Sequence, residues 1–270
     1  MKKQLKSLYL ILSSLFLTVL HLPLSFAKPV FASRVNDKPA ISAAPAPAPA
    51  PLPFFDGSLS SLKSVYDSLH LELSGLSKQA FVYAKKGWQK LMEQGRLVND
   101  SVMAIVDFSQ PSDHKRLYVL DMKNYRVLFN TLVAHGRNSG KEWASSFSNR
   151  AGSFKSSPGF YITHDTYTGN NGYSLRLEGI EKGINDKAYR RAIVMHGASY
   201  VDESYIAQQG YIGRSEGCPA IPERDAAVVI DAIKNGACLF VYTPTKTYTS
   251  RSNLLHDVSL RNHIRSKRKK

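Results

Sequence analysis

Ile193-Val194-Met195-His196-Gly197 and, after a polar stretch, Gly213-Arg214-Ser215-Glu216-Gly217-Cys218-Pro219 carry most of what this sequence says about itself. The apolar run Ala192 to Met195, with β-branched Ile193 and Val194 at its centre, reads as a strand with His196 at its end. The second run sets a cysteine after a glycine in a tight polar loop. Glycine there allows backbone conformations and close approaches that a side chain blocks, so the sulfur is expected to be exposed. Cys238, the other of the two cysteines, sits in Ala237-Cys238-Leu239-Phe240-Val241-Tyr242, the setting of a small core hydrophobe.

A thiol attacks a carbonyl as thiolate, and with an ordinary pKa of about 8.5 it gains from an imidazole that takes its proton. His196 lies twenty-two residues before Cys218. If Tyr200 to Ile212 loop out and return, both residues reach one rim. Two other readings compete. Gly213-x-Ser215-x-Gly217 matches the nucleophile elbow of α/β-hydrolases, with Ser215 as nucleophile. That fold needs further strands bearing an acid and a histidine, and only fifty-five residues follow Ser215, the last twenty of them basic tail. The elbow therefore does not fit. A Cys218–Cys238 disulfide in a non-catalytic, purely structural or binding protein is the second, and the residues leave it open.

Outward from this stretch, strands dominate. Val102 to Phe108 is a short apolar run, and Leu117–Met122 with Tyr125–Val133 across Lys123-Asn124 predicts a hairpin. Phe160–Thr163 and Cys238–Tyr242 add two strands, and Tyr173, Leu175 and Leu177 alternate with polar neighbours in another. One helix interrupts them: Pro222 suits its first turn, Ala226, Val229, Ile230 and Ile233 form its stripe, and Asn235-Gly236 stops it. Phe54 to Leu97 reads as helical, with Leu59, Leu62, Tyr66 and Leu69, then Phe81, Ala84, Trp88, Leu91 and Met92, at three- and four-residue spacing. The expected class is β-rich α+β, a sandwich with short flanking helices and a helical N-terminal segment.

The ends have their own logic. Lys2, Lys3 and Lys6 precede an apolar stretch from Leu8 to Leu20, then Pro23 and Ser25-Phe26-Ala27. That is the pattern of a secretory signal ending at Ala27, and the run is too short for the roughly 20 residues of a membrane span. Residues 28–53 centre on alternating Ala-Pro, Ala44 to Pro51, a semi-rigid spacer. The expected division is 1–27 signal, 28–53 linker, 54–98 helical segment, 99–245 catalytic domain and 246–270 basic, disordered tail. Of the net charge of +15, the last twenty residues carry +6 and the signal +3, which leaves +6 for the body. The basic character is thus mostly terminal, and an exported protein meets no nucleic acid. Anionic wall polymers or lipid headgroups are the fitting counterparts of the tail. With no Cys-x-x-Cys and no His-x-x-x-His, no metal or other cofactor site is expected.

His196-Gly197-Ala198-Ser199-Tyr200-Val201 and Gly213-Arg214-Ser215-Glu216-Gly217-Cys218-Pro219-Ala220 together resemble the signature of YkuD-type L,D-transpeptidases, in its divergent murein L,D-transpeptidase branch. His135-Gly136-Arg137-Asn138-Ser139-Gly140, Ser156 to Tyr161 and Gly172 to Leu177 extend the resemblance over roughly Asn99 to Tyr242. It implies a YkuD-like catalytic domain acting on peptidoglycan stem tetrapeptides, with Cys218 as nucleophile and His196 as base. It further implies that the Gly197 carbonyl orients the imidazole, that N–H groups near Gly217 and Cys218 face the oxyanion, and that Ser215 shapes the loop. Arg214 is the expected contact for a stem carboxylate. Glu216 stands where the commoner signature has histidine, and Pro219-Ala220 replaces a polar residue beyond the cysteine. Transfer to an amine makes a crosslink; transfer to water makes the same protein an L,D-carboxypeptidase.

Overall fold

The computed structural model describes residues 65–71 and 74–256. The signal and linker, with Leu59 and Leu62, lie outside the described residues, as do positions 257–270 of the tail. Eight strands form one sheet in the order β3-β2-β1-β8-β4-β5-β6-β7. They are β1 Val102–Asp107, β2 Leu117–Asp121, β3 Arg126–Thr131, β4 Gly159–Gly169, β5 Gly172–Gly179, β6 Val194–Gly197, β7 Ala220–Ile221 and β8 Cys238–Tyr242. The helices are α1 Lys78–Glu93, α2 Glu203–Gln209, α3 Glu223–Ile233 and α4 Lys246–Thr249. Pairing is antiparallel except β1 with β8 and β6 with β7. After β3 the chain continues to Ala134, which bridges Ala220 of β7 and so links the two ends of the sheet. The expected β-rich α+β class is observed, with the two facing halves supplied by a single, nearly closed sheet.

Period two in the sequence becomes two cores. Met103, Ile105, Tyr118, Leu120, Phe160, Cys238 and Phe240 point to one face, where α1 covers them with Phe81, Ala84, Trp88 and Leu91. Ala104, Val106, Leu117, Val119, Leu175, Met195, Leu239 and Val241 point to the other, where α3 adds Ala226, Val229, Ile230 and Ile233. Burying one such aliphatic side chain contributes about 1.5–3 kcal/mol, so both cores are substantial. Helix α1 approaches the sheet closely at Gly87. A Cβ built there would overlap the Phe160 ring, which stacks on Phe240 with centroids 4.2 Å apart.

Several elements depart from the expected bounds. The helical stripe before Leu97 is broken: residues 65–68 are helical, Gly75 takes φ +81°, and Ser77 caps α1 by accepting from Ala80 N–H at 3.4 Å. The hairpin turn is held by Asp121, whose carboxylate accepts from Lys123 and Asn124 N–H at 3.1 and 2.9 Å. Strand β4, expected to end at Thr163, runs on to Gly169 past a register shift at Thr163/Thr166, paired with β5; this half is half-buried or exposed and lacks the apolar alternation that would announce it. Residues 246–256, assigned by charge to the tail, pack on the body: Tyr248, Ser252 and Leu255 are buried. Tyr248 and Ser252 donate to the buried carboxylate of Glu181, which also accepts Phe160 N–H at 2.8 Å.

Candidate active site

The register of a two-residue strand brings the site together. In β6, His196 lies opposite Ser174 of β5 and opposite Ala220 of β7. Because Cys218 stands two residues before Ala220, the β6–β7 pairing sets sulfur and imidazole on one rim. The excursion between them, expected as a loop, contains α2, which has no buried residue and so no apolar stripe to announce it. Asp202 caps it by accepting Ser204 N–H at 2.9 Å, and Gly210, at φ +83°, ends it. Val201 and Ile212 at its base are buried with Leu132, Ala134, Ala198 and Ala220, which pins where the chain leaves and returns.

His196 is 5 % exposed, and its Nδ1 lies 2.8 Å from the Gly197 carbonyl. A carbonyl only accepts, so Nδ1 carries the proton and the neutral ring keeps its lone pair on Nε2. Burial lowers the imidazole pKa and the Gly197 carbonyl opposes this, so the ring stays neutral at pH 7. Gly197 has a second role: a Cβ there would stand 3.0 Å from that of Ala226, where β6 meets α3.

Around the sulfur, Ser215 ties the loop. Its Oγ accepts Gly217 N–H at 3.0 Å and donates to the Cys218 carbonyl at 2.6 Å. Its own N–H and C=O pair with His135 O and Arg137 N at 3.0 and 2.7 Å. The Gly217 N–H, expected to face an oxyanion, is thus engaged inside the loop, because a hydroxyl two residues back reaches it first. Cys218 N–H has no protein acceptor among the described residues. Gly217 adopts φ +125°, and a Cβ there would come within 2.8 Å of the Lys155 carbonyl, so only glycine fits without displacement. Arg214 lines the cleft with its guanidinium on the Gly140 and Arg137 carbonyls at 3.1 and 3.3 Å. Glu216 pairs with Arg137 at 3.3 Å, and that arginine stacks on Phe154 with its guanidinium carbon 4.0 Å from the ring centre.

Both cysteines are free thiols. The Cys218–Cys238 disulfide is overturned by topology: Cys238 is fully buried on the α1 face, whereas Cys218 packs against the core of the opposite face and borders the cleft. Burial raises the Cys218 pKa; the Val194 N–H and the Arg191 charge pull it back, and Glu216 pushes it up. The Sγ reaches the Ala192 carbonyl at 3.8 Å. No hydrogen bond joins it to His196, although the two line one cleft of about 1090 Å³. That cleft is also bordered by Tyr200 of the quoted motif, and by Arg190, Arg191 and the Asn170-Asn171 turn between β4 and β5, which the sequence reading did not single out. The Arg190-Arg191 pair directly before the histidine-bearing strand was the available signal. Among the described residues no cluster of three His, Cys, Asp or Glu side chains could hold a metal ion.

Residues 72–242 match the sequence model of the YkuD_2 family, the L,D-transpeptidase catalytic domain. The chain belongs to this family. No curated protein matches it. Among solved structures, an L,D-transpeptidase from Mycobacterium smegmatis is similar at 14 % identity, covering 53 % of this chain and 59 % of that one, with TM-score 0.34. An L,D-transpeptidase from Stackebrandtia nassauensis is 13 % identical over 69 % of this chain and 78 % of that one, TM-score 0.33. The helical cell shape determining protein Pgp2 (K307A mutant) from Campylobacter jejuni is 13 % identical over 60 % and 57 %, TM-score 0.38. The chain spans about 59 % of the length of the mycobacterial enzyme. In this L,D-transpeptidase domain, Cys218, His196, Gly197, Ser215, Gly217 and Arg214 all lie around the return of the chain into β7.

Proposed function

We propose that this protein is an exported cysteine L,D-transpeptidase acting on peptidoglycan stem tetrapeptides. One observation carries the reading: His196, its Nδ1–H held on the Gly197 carbonyl, keeps an unprotonated Nε2 in the same cleft as the Cys218 thiol. The Cys218 side chain leaves the Ala192 carbonyl and passes its proton to Nε2. The sulfur then attacks the carbonyl of the third stem residue. The oxyanion faces Cys218 N–H, the donor the loop leaves unused; losing one such donor typically costs roughly 2.7–4 kcal/mol of barrier. Nε2–H returns the proton to the departing D-alanine nitrogen, leaving a thioester. An acceptor amine then gives its proton to His196, takes the acyl group and frees the thiolate. Arg137, Arg190, Arg191 and Arg214 give the cleft a positive wall suited to the free carboxylates of stem peptides. The N-terminal signal pattern and Ala-Pro spacer support a periplasmic or wall-associated location, and the basic end an anionic wall or membrane contact.

The test is mass spectrometry of purified muropeptides incubated with the wild type and with Cys218→Ala. New third-residue to third-residue crosslinks made by the wild type alone support the reading. Tripeptides alone would instead make it an L,D-carboxypeptidase, and identical spectra from both proteins would remove the catalytic proposal.

A further inference from the structure

Arg191 stands in the turn before β6, beside a backbone that departs from the ordinary: Ala192 takes φ +54°, a left-handed conformation that costs a non-glycine residue about 1 kcal/mol or more. The turn aims the arginine at the loop that runs past the site. Its Nη1 donates to Ser148 O at 2.9 Å and Ser157 Oγ at 2.6 Å, and its Nη2 to Lys155 O at 2.7 Å and Ser153 Oγ at 3.4 Å. All four acceptors are neutral. Among the described residues no carboxylate lies within ion-pair distance of this half-buried guanidinium, so its charge is fixed in place and not cancelled. The same Nη2 would stand 3.3 Å from a Cβ on Gly217, the residue next to the nucleophile, and Arg191 and Cys218 border the same cleft.

We propose that Arg191 is a positioning residue for the cysteine chemistry, a tethered cation whose uncancelled charge holds the Cys218 sulfur in its ionised form once His196 has taken the proton. This rests on Cys218 being the nucleophile. The other charged and titratable groups lining that cleft are Arg190 beside it, Tyr173 of β5, His196 on β6, Tyr200 after it, Glu216 on the cysteine's own loop with Arg137 paired to it, Arg214, and Glu223 of α3. Glu216 opposes thiolate formation and is itself paired with Arg137 at 3.3 Å, whereas the Arg191 charge favours the thiolate. A cation near an acid favours its ionised form and so lowers its midpoint.

The test follows alkylation of the intact protein by iodoacetamide as a function of pH, read by mass, and needs no peptidoglycan. Cys238 is fully buried and silent under native conditions. Arg191→Gln keeps an amide donor and removes the charge, and its midpoint is expected to rise by about one pH unit. Arg191→Lys keeps the charge and stays near the wild type. Ser153→Ala/Ser157→Ala removes two tethers, keeps the charge and also stays near the wild type. An unmoved midpoint in Arg191→Gln, or an equal rise in the serine double variant, would overturn the proposal. If circular dichroism shows Arg191→Gln unfolded, Arg191→Lys decides: a midpoint near the wild type supports it, and a full-unit rise refutes it. A wild type that makes no muropeptide product while these shifts hold would overturn the transpeptidase reading and leave the arginine's role standing.

Discussion

Acidification should weaken this protein through one histidine that is not in the cleft. His135 is fully buried, with Arg116 Nη2 donating to its Nδ1 at 2.8 Å and its Nε2–H directed at Gly140 O, 3.3 Å away. Burial first, then the Arg116 and Arg214 charges, lower its pKa from 6.5 to about 3. The unfolded chain therefore binds a proton near pH 6.5 and the folded protein does not until about pH 3. Stability from this group is present above pH 6.5 and is lost as pH falls toward 3, at about 1.4 kcal/mol per pH unit. Between pH 7.5 and 5.0 the loss is about 2 kcal/mol. His135→Gln offers an amide donor and acceptor in place of the ring and does not titrate. Urea unfolding of both proteins at the two pH values isolates the effect, because other titrating groups cancel in the difference. The wild type should lose about 2 kcal/mol more than the variant. Equal losses would refute the assignment of a permanently neutral imidazole. The site shares this support, since the His135 carbonyl accepts Ser215 N–H.

Ser215→Ala leaves the buried Gly217 N–H without its acceptor and should lower stability by about 1–3 kcal/mol, with slower alkylation of Cys218; an unchanged urea midpoint would contradict the loop geometry. Gly87→Ala gains about 1 kcal/mol of helix propensity and forces a methyl into the Phe160 ring, which Phe240 holds in place, so overpacking of about 1–3 kcal/mol or more wins. A rise in melting temperature would show that α1 can back away from the sheet. Thiol titration should count one reactive group in the native protein and two after unfolding without reductant, with Cys238→Ser retaining the reactive one. A count of zero before unfolding would mean that Cys218 is inaccessible.

Much of the fold was legible because its signals are local. Leu239 and Val241 alternate with Cys238, Phe240 and Tyr242, and that alternation alone sorts them to two faces. Helix α3 announces itself through Ala226, Val229, Ile230 and Ile233, and it ends where Asn235 and Gly236 take φ +62° and +95°. Helix α2 could not be read, since every one of its side chains faces water or is only half-buried. At the site, Cys218 after Gly217 and His196 at a strand end were evident as residues and not as neighbours.

The sequence by itself determined which residues could do chemistry, a thiol in a glycine-rich loop and an imidazole at the end of an apolar run, because composition and period are properties of short segments. Tertiary structure alone decided that Cys218 and Cys238 stand on opposite faces of the sheet, that Ser215 takes the Gly217 N–H, and that Arg191 reaches the loop of residues 148–157. Those outcomes depend on strand register and on contacts across many residues of chain. A shift of one residue in the β6–β7 pairing would turn each side chain to the other face.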